Sequence, residues 1–206
     1  RNIGAGVSGP SPDLDQPMCR LLWVRSERPF QISSHLERFA ALARESTEYQ
    51  GHGWGCAWLD TNGWKVHRDI RPIWEDNFTQ FRGTTLLLAH ARSAFRDEGI
   101  RIENNMPFVD GQRAFIFNGE LRGVRIRETG RIGAEKIFNF IKRFDHYGRL
   151  PSVQKGVDVI EKRTRYLRAM NLIIASPDSS ELATIYNENP AYFQMHCCHQ
   201  ASESIV

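Results

Sequence analysis

Cys19 follows Met18 directly and precedes the apolar residues Leu21, Leu22 and Val24. A thiol attacks a carbonyl carbon well only as its thiolate, and removal of Met18 would leave Cys19 with its own α-amine as a base to generate it. Two other positions could complete acyl chemistry. Arg92, at the end of the run Leu88-Ala89-His90-Ala91-Arg92, carries a planar guanidinium that grips a carboxylate through two parallel hydrogen bonds. In Phe117-Asn118-Gly119, an amide side chain beside an unobstructed backbone N–H can hold the oxyanion of a tetrahedral intermediate. Each also has a plainer reading: a buried small thiol, a surface arginine and a tight turn. His90, sharing a strand face with Arg92, reads first as a packed core histidine.

Elements that could position these groups are legible around them. A strand is expected from Cys19 onward, and residues 34–45 predict an amphipathic helix starting at Ser34, with Leu36, Phe39 and Leu42 on its apolar face. Residues 55–59 and 64–67 flank Asp60-Thr61-Asn62-Gly63, a hairpin signal because a tight turn needs positive φ. Runs 86–91 and 114–117 are short enough for buried strands, and helices are expected over 134–144 and between 153 and 167. Three more strands are expected at 171–175, 183–186 and 192–197. Strands, then helices, then strands again argue for an α+β class.

Residues 1–17 are rich in Gly, Ser and Pro without periodicity and read as a disordered leader, tag or propeptide. Residues 18–206 read as one domain, whose β-like final residues suggest a natural end beyond Val206. At 41% hydrophobic residues the chain can bury a sizeable core. Its 27 basic and 24 acidic residues are scattered, giving a formal charge of +3, so there is no footprint of the kind nucleic acid requires. The basic stretch 122–131 is interrupted by Glu128 and reads as a solvated loop. With neither a long apolar run nor a signal-type start, a cytoplasmic location without membrane contact is expected. Cys19, Cys56, Cys197 and Cys198 are then reduced thiols.

In order and spacing, the chemical elements resemble the class II glutamine amidotransferases, a family of N-terminal-nucleophile hydrolases, and most of all its small stand-alone members that open Met-Cys-Arg. The likeness runs from Met18 to about Phe144. His52-Gly53-Trp54-Gly55 is similar to the family's Asp-Gly-Trp-Gly, and Ala89-His90-Ala91-Arg92-Ser93-Ala94 to Ala-His-x-Arg-x-Ala. Asn105-Met106-Pro107-Phe108 is similar to Thr-His-Pro-Phe, and Phe117-Asn118-Gly119 to His-Asn-Gly. The resemblance implies a four-layer αββα sandwich and cleavage of glutamine or another γ-glutamyl amide through a thioester on Cys19. Asn118 and Gly119 would hold the oxyanion and Arg92 the substrate α-carboxylate, with Glu135, His52 and Trp54 also around the substrate. It implies no cofactor or metal, a separate synthetase as one destination for ammonia, and a homo-oligomer as one assembly state.

Four positions depart from the family pattern. Gly133 stands where an acidic residue binds the substrate ammonium, His52 where Asp is common, and Met106 and Phe117 where His is common. Either Glu128 or Glu135 replaces the missing carboxylate, or the substrate lacks a free α-ammonium. A catalytically silent subunit that binds a partner protein or a γ-glutamyl metabolite stays open beside the enzyme. So does an inactive precursor, since residues 1–18 would block the Cys19 amine. His196-Cys197-Cys198-His199 reads as a strand end rather than a zinc site, because adjacent strand residues face opposite ways. Trp54, Trp58, Trp64, Phe78 and Phe81 read as core aromatics, since no basic residues interleave with them as in a base-stacking platform.

Overall fold

The computed structural model describes residues 18–94, 98–145, 149–200 and 202–206, so the leader 1–17 lies outside the described residues. In chain order come β1 (Arg20–Gln31), α1 (Ile32–Arg44), β2 (Trp54–Asp60), β3 (Gly63–Asp69), β4 (Gly83–Ala91), β5 (Phe108–Val109) and β6 (Ala114–Val124). They are followed by α2 (Gly133–Lys142), α3 (Arg149–Lys162), β7 (Thr164–Ala175), β8 (Ser180–Tyr186), α4 (Pro190–Phe193), β9 (Cys198–Gln200) and β10 (Glu203–Ile205). The strands form two antiparallel sheets, one ordered β3-β2-β4-β1-β10-β9 and the other β5-β6-β7-β8.

Strand β4 shows how side-chain alternation builds the molecule. Leu86 and Leu88 enter a core shared with Phe115 and Ile116 of β6, whereas Leu87, Ala89 and Ala91 enter a second core with Ile32, Leu36, Phe39, Ala40 and Ala43 of α1. A strand buried on both faces needs apolar residues at every position, and its run Leu86-Leu87-Leu88-Ala89 supplies them. Helix α1 lies against β1 and β4, both of those strands meet β6, and α3 lies against β7 and β8. The pattern is thus a mixed α and β fold with two sheets in contact. Carrying the first series of β4 onward by two residues brings His90 and then Arg92 to the side of the second sheet.

Several elements differ from their sequence expectation for local reasons. Helix α1 starts two residues before Ser34, whose hydroxyl instead bonds the Gln31 carbonyl at 2.9 Å, and Leu42 is 64% exposed. In the β2–β3 hairpin Asp60 pairs with Gly63, and Gly63 alone takes positive φ, at 100°. Helix α3 ends at Lys162, so residues 164–167 belong to β7 and carry on its pairing with β6. The strand expected at 192–197 is replaced by the short helix α4. Asn189 turns left-handed at φ 44°, and Pro190, with its φ already near the helical value, opens the helical turn. Asn118 and Gly119 lie inside β6, opposite Asn171 and Met170, and not in a turn.

Arg25 of β1 ties the two sheets together. Its guanidinium donates to the carbonyls of Ser176 at 2.7 Å, Pro177 at 2.8 Å and Ser179 at 3.0 Å, all in the turn from β7 to β8. Only a forked cation reaches these acceptors together. Arg25→Ala is therefore expected to lower unfolding stability by about 2 kcal/mol, and Arg25→Lys to recover less than half of that loss, measured by urea denaturation.

Candidate active site

The pairing of β1 with β4 sets the register at Cys19. Arg20 lies opposite Ala91 and Leu21 opposite His90, which carries Cys19 to the level of Arg92 just past the end of β4. The Cys19 thiol donates to the Ser93 carbonyl at 3.5 Å and its sulfur accepts the Ser93 N–H at 3.4 Å. Burial pushes the thiol pKa above its ordinary value. The Ser93 backbone, Arg92 and Arg20 work against that shift, and Glu48 adds to it. With Met18 attached, Cys19 is therefore a neutral thiol at neutral pH.

Met18 is held on three sides. Its N–H donates to Glu48 Oε2 at 2.6 Å, its carbonyl accepts from the buried Gln50 amide at 2.6 Å, and its side chain packs with Ala169 and Phe193. Cutting the Met18–Cys19 peptide bond would free Glu48 and Gln50 next to the new amine.

Arg92 is 8% exposed, and its guanidinium bonds only neutral oxygens among the described residues: Asn105 Oδ1 and the Glu98 carbonyl, each at 3.4 Å. Burial draws its pKa down, with Cys19 opposing, yet a guanidinium stays charged at any ordinary pH. Its backbone is fixed by the loop entering β2. The His52 N–H donates to the Arg92 carbonyl at 3.1 Å, and the Arg92 N–H donates to the Gly53 carbonyl at 2.9 Å. Gly53 sits at φ 103° and a Cβ there would collide with the Asn105 amide, so glycine is required on two counts. Asn105, fully buried, donates its own amide to the Asp69 carbonyl at 2.8 Å and so holds its Oδ1 toward Arg92.

Cys19, Arg92, Asn118 and Gly119 share one cavity of about 380 Å³, walled also by Met106, Phe117, Leu121, Ile126, Ile132, Gly133 and Ile137. Gly119 has no room for a side chain, because a Cβ would lie 2.6 Å from the Ala169 carbonyl of β7. Three residues named from the sequence stand off this cavity. Trp54 is fully buried in the α1-side core, its indole N–H donating to Asp76 at 3.1 Å. The ring of His52 accepts the Ala94 N–H at 2.9 Å, which positions the Arg92 loop without reaching the cavity. Glu135 is chelated by Arg131, with a hydrogen bond of 3.0 Å to Arg131 Nε. The other proposed substitute carboxylate, Glu128, pairs with Arg143 at 3.6 Å.

Two further wall residues are Asn104, which the sequence did not single out, and His90, which it gave first as a packed core histidine. Asn104 gave no signal, being one polar residue in a loop. His90 did share the Arg92 strand face. It is fully buried, and its ring nitrogens have no side-chain partner among the described residues. Its pKa is lowered to about 3, first by burial and then by Arg92, with the Phe117 backbone only partly opposing.

His67, Asp69 and Asp76 bring ligand atoms within 4.8 Å of one another. His67 and Trp54 already hold Asp76, and Arg71 holds Asp69 at 2.6 Å. Cys197 Sγ stands 3.5 Å from His199 Nε2, outside any such cluster among the described residues. No protein-family model and no curated protein matches the chain.

Neutral His90 gives a pH test. An imidazole whose folded pKa lies below its unfolded value of 6.5 contributes stability in full above pH 6.5, and that contribution fades as pH falls toward 3. Unfolding free energy should decline through this window with an added slope of up to about 1.4 kcal/mol per pH unit. His90→Asn should remove that component, read from urea denaturation at a series of pH values.

Proposed function

We propose that this protein is an N-terminal-nucleophile amidohydrolase of the class II glutamine amidotransferase type, active on γ-glutamyl-type amides once Cys19 becomes the first residue. The observation that carries this reading is the convergence on one cavity of Cys19, the Asn118-Gly119 pair and the Arg92 guanidinium, which meets only neutral oxygens among the described residues. Two antiparallel sheets in contact, with α1 on the first and α3 on the second, fit a four-layer αββα sandwich.

In this mechanism the Cys19 α-amine takes the thiol proton and the sulfur attacks the side-chain amide carbon of the substrate. Charge develops on the carbonyl oxygen, where the Asn118 amide and the Gly119 N–H stabilise it. Arg92 fixes the far carboxylate, which sets the distance between that group and the reacting carbon. The C–N bond breaks, the amine proton passes to the departing ammonia or amine, and water hydrolyses the thioester to return the free thiol. Ammonia would go to a separate synthetase or to solvent.

The second reading, a silent binding subunit, is favoured by one observation: with Met18 in place the thiol pKa is raised and its neighbouring amide is tied to Glu48. One experiment separates the two. A chain beginning at Cys19 should be labelled on Cys19 by the glutamine-like electrophile diazo-oxo-norleucine and should release ammonia or amine from γ-glutamyl amides. The chain retaining Met18 should do neither. Asn118→Ala in the processed chain should cut kcat by about 100- to 1,000-fold without changing the thermal midpoint. A processed chain that takes no label and turns over no γ-glutamyl amide is the silent subunit.

A further inference from the structure

The cavity wall can be read for what it offers a ligand, group by group. Its charged side chains among the described residues are Arg92, buried and paired only with neutral oxygens, and Lys136, exposed at the rim. His90 contributes a buried imidazole beside the Phe117 backbone, and Asn104, 7% exposed, contributes an amide whose Oδ1 has no hydrogen-bond partner among the described residues. None of the described wall residues is a carboxylate. Two acidic side chains near it in sequence or space are engaged elsewhere, Glu135 by Arg131 and Glu128 by Arg143, and Glu48, which the Met18 N–H holds here, is left facing the new Cys19 α-amine once Met18 is removed. The remainder is largely apolar, with Met106, Phe117, Leu121, Ile126, Ile132 and Ile137.

Such a wall suits one half of an α-amino acid and rejects the other. A carboxylate gains the unpaired Arg92 charge. A free ammonium would give up its hydration without meeting an anion among the described wall residues, whose fixed charges share its sign. An acylated nitrogen removes that conflict. It is uncharged, its N–H is a donor for acceptors such as Asn104 Oδ1 or a His90 ring nitrogen, and its acyl carbons can cover the apolar wall. A cavity of about 380 Å³ falls in the size range that encloses drug-sized ligands, which leaves room for an acyl group.

We propose, on the basis of the amidohydrolase reading above, that the site is selective for carboxylate-bearing side-chain amides whose α-nitrogen is uncharged, of the N-acyl-glutamine class, over free glutamine. The reaction balances without another reagent. The Cys19 sulfur bonds the side-chain carbonyl carbon as the C–N bond breaks, ammonia leaves with the thiol proton, and water releases the N-acyl-glutamate and restores the thiol.

Gly133 supplies a converse test. It lies on the cavity wall and nothing stands within 4 Å of a Cβ built there, so an aspartate fits. With the chain beginning at Cys19, ammonia release should be followed from L-glutamine, N-acetyl-L-glutamine and N-acetyl-L-glutamine α-amide. The proposal expects kcat/KM for N-acetyl-L-glutamine at least tenfold above that for L-glutamine and at least tenfold above that for the α-amide. Gly133→Asp should shift the ratio of the first two at least tenfold toward glutamine. Equal or better use of L-glutamine by the unaltered protein overturns the selectivity while leaving the amidohydrolase reading intact. Equal use of the α-amide overturns the carboxylate requirement in the same way. Absence of any Cys19 thioester and of any ammonia release from all three compounds overturns both.

Discussion

A buried guanidinium that meets no anion among the described residues is the constraint around which the site is arranged. Arg92 is charged, almost inaccessible, and answered among the described residues only by an amide oxygen and a backbone carbonyl at 3.4 Å. Those long contacts to neutral acceptors satisfy part of its donor capacity and none of its charge. Keeping it there takes several elements at once. The β4 ladder delivers it, the His52-Gly53 backbone clamps it on both sides, and Asn105, itself fixed by Asp69 of β3, meets its fork. The cost of desolvating that charge is spread over the packing of both sheets, and an arriving carboxylate would recover part of it.

The same register that presents Arg92 also sets the thiol. Cys19 extends β1 by one residue beyond its last pair with β4, so the sulfur rests on the Ser93 backbone immediately after the arginine. Asn118 and Gly119 arrive from the second sheet, which places one half of the candidate machinery on each sheet. Contact between the sheets is thus a condition for the site to exist. The apolar alternation along β4 enforces that contact, since Leu86 and Leu88 share their core with β6.

What could be read beforehand follows from how local the determining physics is. The β2–β3 hairpin was legible because Gly63 supplies the positive φ the turn needs. Helices α1 and α2 were legible from their apolar spacing, although Leu42 shows that one residue fitting the period can still face solvent. The β7 extension over 164–167 was missed because its residues look helical alone and are recruited by pairing with β6, a long-range effect. Helix α4 was missed because residues 192–197 look like one extended run, whereas Pro190 just ahead of them opens a helical turn. At the site, Cys19, Arg92, Asn118 and Gly119 could be named from type and order. The positions of Trp54, His52 and Glu135 could not, since burial, a backbone acceptor and an ion pair with Arg131 draw them away.

The central claim is a spatial one: a single ligand should touch Cys19, Arg92 and the Asn118-Gly119 pair together. A crystal structure of the chain beginning at Cys19, bearing a covalent glutamine-like adduct, tests it directly. The account predicts the adduct bonded to Cys19 Sγ, its carboxylate within hydrogen-bond distance of Arg92, and its former carbonyl oxygen facing Asn118 and the Gly119 N–H. An adduct on Cys197 or Cys198, or one on Cys19 whose carboxylate turns to solvent while Arg92 keeps its two neutral partners, would contradict it.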